Sequence, residues 1–224
     1  MPLDGRLIDI LAQSVKGYDF PPVTFDFPHN VEQQHDSPRG VEACIRDSLL
    51  SKDTEVVKDG LSNVLYWGYA RMGYRNVRVN RFRHQVTGNQ LLDAQQLFRR
   101  LVGPGLIQIK RLRLPEFGGL SFVSKVRMFL DPTNFVTLDL QLMKLRNEKQ
   151  PTIFNQIRLR QDATTISITR ENEMFYERWC SLCRRIAAIY FGNPDVRAVE
   201  IERAIYYLVS TDQAGLAAEI LGNA

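Results

Sequence analysis

The segment Leu114-Pro115-Glu116-Phe117-Gly118-Gly119-Leu120-Ser121-Phe122-Val123-Ser124-Lys125 holds the residues best suited to gripping a phosphate. Its proline opens a turn, its paired glycines continue it, and Ser121 is expected to cap the helix that follows. Such a turn aims the backbone N–H groups of Gly118, Gly119, Leu120 and Ser121 at whatever lies before the helix, and a row of donors holds an anion. Gly119 is expected where the backbone approaches a phosphate closely or takes positive φ. Asp139, in Phe135-Val136-Thr137-Leu138-Asp139, follows eighteen residues after Ser121, about one helix and one short turn away. A carboxylate at the mouth of a pocket can stabilise the positive charge that develops at a sugar carbon as a glycosidic bond breaks. It can also orient or deprotonate the attacking water. An aspartate ahead of a helix also serves as an N-cap, and one residue can do both. Lys125 has three roles open to it: a phosphate contact, which is the one expected, a nucleophile of lowered pKa, or a surface lysine.

The stretch from Leu114 to Lys125, with Arg127 to Leu130 and Asp139 behind it, resembles the helix-hairpin-helix and aspartate signature of the DNA glycosylases, a superfamily that includes endonuclease III. The resemblance is specific over about residues 105 to 145. It is nearest to bacterial proteins with the 8-oxoguanine DNA glycosylase (OGG) fold, whose segment of the form GLSF-x-SK-x-x-x-FL-DP matches Gly119 to Pro132 here. It implies a mostly α, glycosylase-like helical fold that flips a modified base from duplex DNA and excises it by hydrolysing the N-glycosidic bond. Asp139 would be the catalytic carboxylate, with Lys125 the second catalytic candidate and no cofactor in the chemistry. The hairpin carbonyls would hold a monovalent cation that bridges to a DNA phosphate. DNA repair and defence against modified phage genomes both fit such an activity.

The chain departs from that pattern twice. Glu116 stands where the hairpin usually has its first glycine, so the turn must be built differently or its first residue must avoid positive φ. Ser121 occupies the place of the Schiff-base lysine of bifunctional relatives, and Lys125 lies one helical turn later on the same face, so monofunctional action is expected. The rival reading is a catalytically inactive helix-hairpin-helix protein that only holds duplex DNA; an RNA-directed protein is a third. The hairpin itself could also be a plain helix-helix turn.

Charge is distributed in a way that suits a polyanion. From Arg71 to Met128 there are twelve Lys and Arg, among them Lys110, Arg111, Arg113 and Arg127, against two acids, Asp93 and Glu116. That segment carries +10 within a chain of net +4, so the remainder is negative. Counterions displaced from DNA by such a block supply affinity that ignores sequence. A solvated basic face without a partner is the alternative. Just before the block, Tyr66, Trp67, Tyr69 and Tyr74 could stack on an extruded base, although the same spacing suits a core, and Tyr66 and Trp67 cannot both face inward on one helix. Gln95, Gln96 and Asn89 could read a base edge or fill a vacated base site.

The elements that must position these groups are mostly helices. Residues 1–16 suit a short amphipathic helix, and Tyr18 to Gly40, with Pro21, Pro22, Pro28 and Pro38, reads as an extended arm, so 1–40 forms an N-terminal appendage to a helical domain over 41–224. Apolar spacing predicts helices over Val41–Leu50, Asp53–Arg71, Leu91–Val102, Ile107–Leu114, Ser121–Leu130, Leu140–Arg146, Glu171–Tyr190 and Val196–Val209. Ile153–Leu159 and Thr164–Thr169 alternate enough to suggest a small β-hairpin insertion. The clearest candidate for a domain boundary is the loop near Gln150.

Other chemistries find little support. Cys180 and Cys183 form a C-x-x-C pair with no second pair, and with Cys44 they are best read as reduced thiols. His29, His35 and His84 lack ligand spacing, and no P-loop, dinucleotide fingerprint or G-x-S-x-G elbow occurs, so no metal is expected. No apolar run approaches the roughly 20 residues that cross a bilayer. Met1 to Arg6 also lacks the parts of a signal peptide, which predicts a cytoplasmic, nucleoid-associated protein with no membrane partner.

Overall fold

The computed structural model describes residues 3–101, 103–146, 151–159, 163–192 and 196–224, and Gln150, the expected boundary, lies outside them. The described residues form a mostly helical protein with one two-stranded antiparallel sheet. Helix α1 (Gly5–Gly17) starts at Asp4, whose carboxylate accepts the N–H of Leu7 at 2.9 Å, and it buries the stripe Leu7, Leu11 and Ser14. Strands β1 (Val23–Asp26) and β2 (Val31–Gln34) follow, paired from Val23↔Gln34 to Asp26↔Val31. Then come α2 (Pro38–Leu49), α3 (Thr54–Gly68), α4 (Arg75–Gln85), α5 (Gly88–Arg100), α6 (Leu106–Arg111) and α7 (Leu120–Leu130). The chain divides into two compact units, Phe20–Asp131 and Met1–Asp19 with Pro132–Ala224.

The β-hairpin is thus not where alternation suggested. It folds the stretch read as an extended arm back on itself. Asp26 builds the turn by accepting the N–H of His29 at 3.1 Å and pairing with its ring Nδ1 at 2.9 Å, while Asn30 takes φ 55°. Asn63 of α3 pins β1 from the side, accepting the Phe25 N–H at 2.7 Å and donating to the Phe25 carbonyl at 3.0 Å. Over Ile153–Gln156 the chain winds instead into a 3-10 turn capped by Thr152. There one side chain does what a partner strand would have done: Asn172 accepts the Arg158 N–H at 2.9 Å and donates to the carbonyls of Arg158 at 3.0 Å and Ser167 at 2.9 Å.

Helix α3 is the hub of the unit Phe20–Asp131. Every residue from Gly60 to Trp67 is buried, because α2, α4, α5, α7 and β1 surround it. Tyr66 and Trp67 therefore both lie inside, contrary to the expectation that one must face out. Tyr66 packs on Phe25 with ring centroids 5.1 Å apart, and Trp67 lies 4.8 Å from Phe20 and 5.1 Å from Phe129. Helix α4 had no counterpart in the periodicity, since it buries only Val79 and Phe82 and otherwise carries polar residues and the exposed Val77.

In the other unit, the run Val136-Thr137-Leu138 is buried and held through its carbonyls. Tyr176 donates to Val136 at 2.9 Å and Trp179 Nε1 donates to Thr137 at 3.0 Å. A 3-10 turn, Leu140–Leu145, replaces the expected short α-helix. Next come α8 (Arg170–Ile186), capped by Thr169 and continued by a π-turn over Ala187–Phe191, then α9 (Ala198–Ser210) and α10 (Ala214–Asn223). Helix α9 is buried without a break from Ala198 to Ile205, packed by α1, α8 and α10.

Candidate functional site

The α6–turn–α7 segment is short and tightly determined. Leu112 and Arg113 end α6 by donating to the carbonyls of Ile109 and Lys110 at 3.1 and 3.0 Å, and Arg113 takes φ 52°. Pro115 then opens a second reversal in which Phe117 N–H donates to the Leu114 carbonyl at 3.2 Å and Glu116 takes φ 67°. Proline followed by a positive-φ residue inside an i to i+3 hydrogen bond is the signature of a type II turn, whose third position favours glycine. Of the two alternatives that the sequence left for Glu116, a turn built differently or a residue that avoids positive φ, the second does not occur. The Glu116 carboxylate bridges Arg78 at 3.1 Å and Arg81 at 3.2 Å, with the side chain only 7 % exposed. Leu114 and Phe117 are buried, the latter 5.6 Å from Phe82.

The glycines do other work than expected. Gly119 is the N-cap of α7 at φ −103°, ψ 157°, so it needs no left-handed backbone and Ser121 is not the cap. Gly118 is exposed, and a Cβ built on it would meet nothing within 4 Å. The start of α7 thus presents an open face at Gly118 and a buried anchor at Leu120. Ser121 lies inside the first turn, where its carbonyl accepts from Ser124 Oγ at 3.0 Å and Lys125 Nζ at 3.4 Å.

Two of the expected phosphate contacts are inside the protein. Lys125 is 6 % exposed, with Nζ 5.1 Å from the Phe122 ring, and Arg127 is 3 % exposed. Such side chains offer little surface to a phosphate. Lys110, Arg111 and Arg113 are exposed, as are Arg99 and Arg100 at the end of α5. Part of the basic block is compensated by carboxylates: Arg75 pairs with Glu32 at 3.2 Å, Arg78 and Arg81 with Glu116, and Arg83 with Asp59 at 2.6 Å. Between α5 and α6 a groove of about 290 Å³ carries Gln96, Arg100, Gln108 and Arg111 along its walls. Of these four, Gln96 and Arg111 were expected contacts, Arg100 was legible only as one charge of the basic block, and Gln108 was not singled out. The usable signal was the spacing, since Gln96 and Arg100 share one helical face and Gln108 and Arg111 another.

Of the aromatic candidates, Tyr66 and Trp67 are buried and Tyr69 is half-buried, 4.5 Å from Phe122 and 5.5 Å from Tyr74. Tyr66 donates to Glu32 at 2.5 Å, and burial together with that hydrogen bond pushes its phenol up to about 12. Of the amides, Gln95 is 8 % exposed whereas Gln96 and Asn89 lie on the surface.

Asp139 belongs to the unit Met1–Asp19 with Pro132–Ala224, whereas the hairpin belongs to Phe20–Asp131. It is half-buried and caps the turn Leu140–Leu145 by accepting the Gln141 N–H at 3.3 Å. The backbone leading to it is rigid, because Thr137 donates its hydroxyl to the buried Glu202 in addition to the carbonyl bonds from Tyr176 and Trp179. Among the described residues no three His, Cys, Asp or Glu side chains gather as a metal site would need. Cys180 and Cys183 are fully buried on α8, and burial pushes the Cys183 thiol well up. Among the described residues no helix is long and apolar enough to cross a membrane. Comparison with models of known families, with curated proteins and with solved structures found no match to this chain.

Proposed function

We propose that the chain is a duplex-DNA-binding protein of the helix-hairpin-helix glycosylase type, which extrudes a modified nucleotide and hydrolyses its N-glycosidic bond with Asp139. The observation that carries this reading is the α6–turn–α7 segment itself, in which the exposed Gly118 just ahead of α7 follows closely on the exposed Lys110, Arg111 and Arg113. Backbone donors and a helix N-terminus suit a phosphate oxygen, and the neighbouring cations add attraction that falls with salt. In this reading a monovalent cation at the turn carbonyls bridges to the same phosphate. Asp139, on a backbone that Tyr176 and Trp179 hold still, would face the anomeric carbon, stabilise its oxocarbenium character and orient the water that attacks it. Lys125, buried on α7 beside Phe122, would be a structural lysine, so the reading is monofunctional. The protein would then act on the nucleoid, in repair or against modified phage DNA.

A second reading is favoured by the Asp139–Gln141 hydrogen bond, because a carboxylate that caps a turn needs no catalytic role. In that case the protein holds duplex DNA without cutting any bond. Incubation with a panel of duplexes, each bearing one modified base, with abasic sites scored, separates the two. Excision is expected with at least one duplex, and Asp139→Asn is expected to abolish it while leaving binding within a few-fold. Binding without excision selects the second reading, and absence of duplex binding overturns both.

A further inference from the structure

Within the unit Phe20–Asp131, a cavity of about 230 Å³ opens where β1, the turn after it, α3 and α4 meet. It is lined by the aromatic Phe25, Phe27 and Tyr66, by Val79, and by the polar Asn30, Asn76, Asn80 and Arg83. The aromatic wall is fixed by its neighbours. Phe25 lies 5.1 Å from both Phe27 and Tyr66, and the Arg75 guanidinium covers the Tyr66 ring at 3.8 Å. Arg83 stacks 4.0 Å over Phe27 and is held in place by Asp59 at 2.6 Å and Ser62 at 3.1 Å. Asn76 and Asn80 stand one turn apart on the same face of α4, so their carboxamides converge with that of Asn30. All three asparagines are exposed.

We infer that this cavity is a binding site for a single nucleobase of a nucleic-acid strand, separate from Asp139. Three features select that occupant. The volume falls below the roughly 300–1,000 Å³ of pockets that take drug-sized molecules, which suits one planar ring system. Half-exposed phenyl rings offer a stacking face, and each carboxamide offers both a donor and an acceptor, the pairing that reads a base edge. Among the described residues no carboxylate lines the cavity, so nothing in its wall repels a strand that carries phosphates. The inference rests on the DNA-binding reading only for the source of the base; the pocket chemistry stands without the hairpin.

The test titrates the full chain with deoxyadenosine, deoxyguanosine, deoxycytidine and thymidine, followed by saturation-transfer NMR and calorimetry, with methyl glucoside as the planar-ring-free control. At least one nucleoside is expected to bind, and Asn80→Leu and Phe27→Ala are each expected to weaken it about tenfold or more, as loss of one base-edge contact or one stacking face predicts. Arg99→Ala, an exposed cation of α5, is expected to leave nucleoside binding unchanged. Asn80 is exposed, so Asn80→Leu keeps the test valid even if Phe27→Ala fails to fold. Absence of binding by all four nucleosides, equal binding of methyl glucoside, or nucleoside binding unchanged in Asn80→Leu would each overturn the inference. Duplex binding measured on the same samples keeps the readings apart, because nucleoside binding without duplex binding removes the proposed function and leaves this site in place.

Discussion

Glu116 holds a backbone conformation that glycine adopts at least cost, and it does so because its carboxylate fastens the α6–α7 turn to α4. The left-handed region costs a non-glycine residue about 1 kcal/mol or more, which charge-assisted bonds from two half-exposed arginines to a buried carboxylate can offset. Glu116→Gln keeps the conformational cost and removes the charge, so thermal melting should show a loss of about 1–3 kcal/mol. An unchanged melting temperature would mean that the turn is set by Pro115 and the buried Phe117 alone. At Tyr66 the prediction concerns pH. Its folded-state pKa of about 12 lies above the ordinary phenol value, so its contribution to stability is complete below about pH 10 and is lost as pH rises from there through 12. Alkaline titration followed at the phenolate band should show a late-titrating tyrosine that is missing in Tyr66→Phe.

At the scale of elements, the positions where helices touch are set by glycine. Gly60 lets α3 approach α2 so closely that a Cβ there would lie 2.9 Å from Ser48 Cβ and 3.0 Å from the Leu49 nitrogen. Backbone cannot step aside as a side-chain tip can, so Gly60→Ala should destabilise by about 1–3 kcal/mol in denaturant titration despite its better helix propensity. A neutral or stabilising result would show that the two helices slide apart freely. The hairpin makes a different prediction. Gly119 has an extended backbone open to any residue, so Gly119→Val should fold, yet its branched side chain would crowd the donors at the start of α7. Duplex binding should weaken more in Gly119→Val than in Arg78→Ala, whose charge is already committed to Glu116. Parent-like binding by folded Gly119→Val would make the hairpin a structural turn.

For the molecule as a whole, the useful charge is smaller than the count of basic residues. Arg75, Arg78, Arg81 and Arg83 face Glu32, Glu116 and Asp59, whereas Arg99, Arg100, Arg111 and Arg113 face solvent. Duplex affinity should therefore fall with salt on a log-log slope set by the exposed group. Arg111→Ala should lower that slope by about one ion, and Arg83→Ala should leave it unchanged. Equal effects at both positions would mean that the paired arginines turn outward to meet DNA.

Helical character was legible in the residues alone, because apolar residues at three- and four-residue spacing share one face of a helix; α1, α3, α5, α8 and α9 all lie where that spacing put them. The sequence also placed a turn before α7 at Pro115, but not how that turn is built, since the left-handed position falls on Glu116 and not on either glycine. Tertiary structure decided the rest. Whether a charge is free depends on which carboxylate folds beside it, and Glu32, Asp59 and Glu116 are distant in sequence from the arginines they meet. Whether a residue alternates into a strand depends on a partner for its backbone, which Asn63 and the turn at Asp26 gave to Val23–Asp26, while Asn172 satisfied the backbone near Ile157 without one. Helix α4 and its cavity were hidden for the same reason. Its exposed asparagines carry no periodic signal, and Phe25 and Phe27 become a wall only when β1 folds against α3.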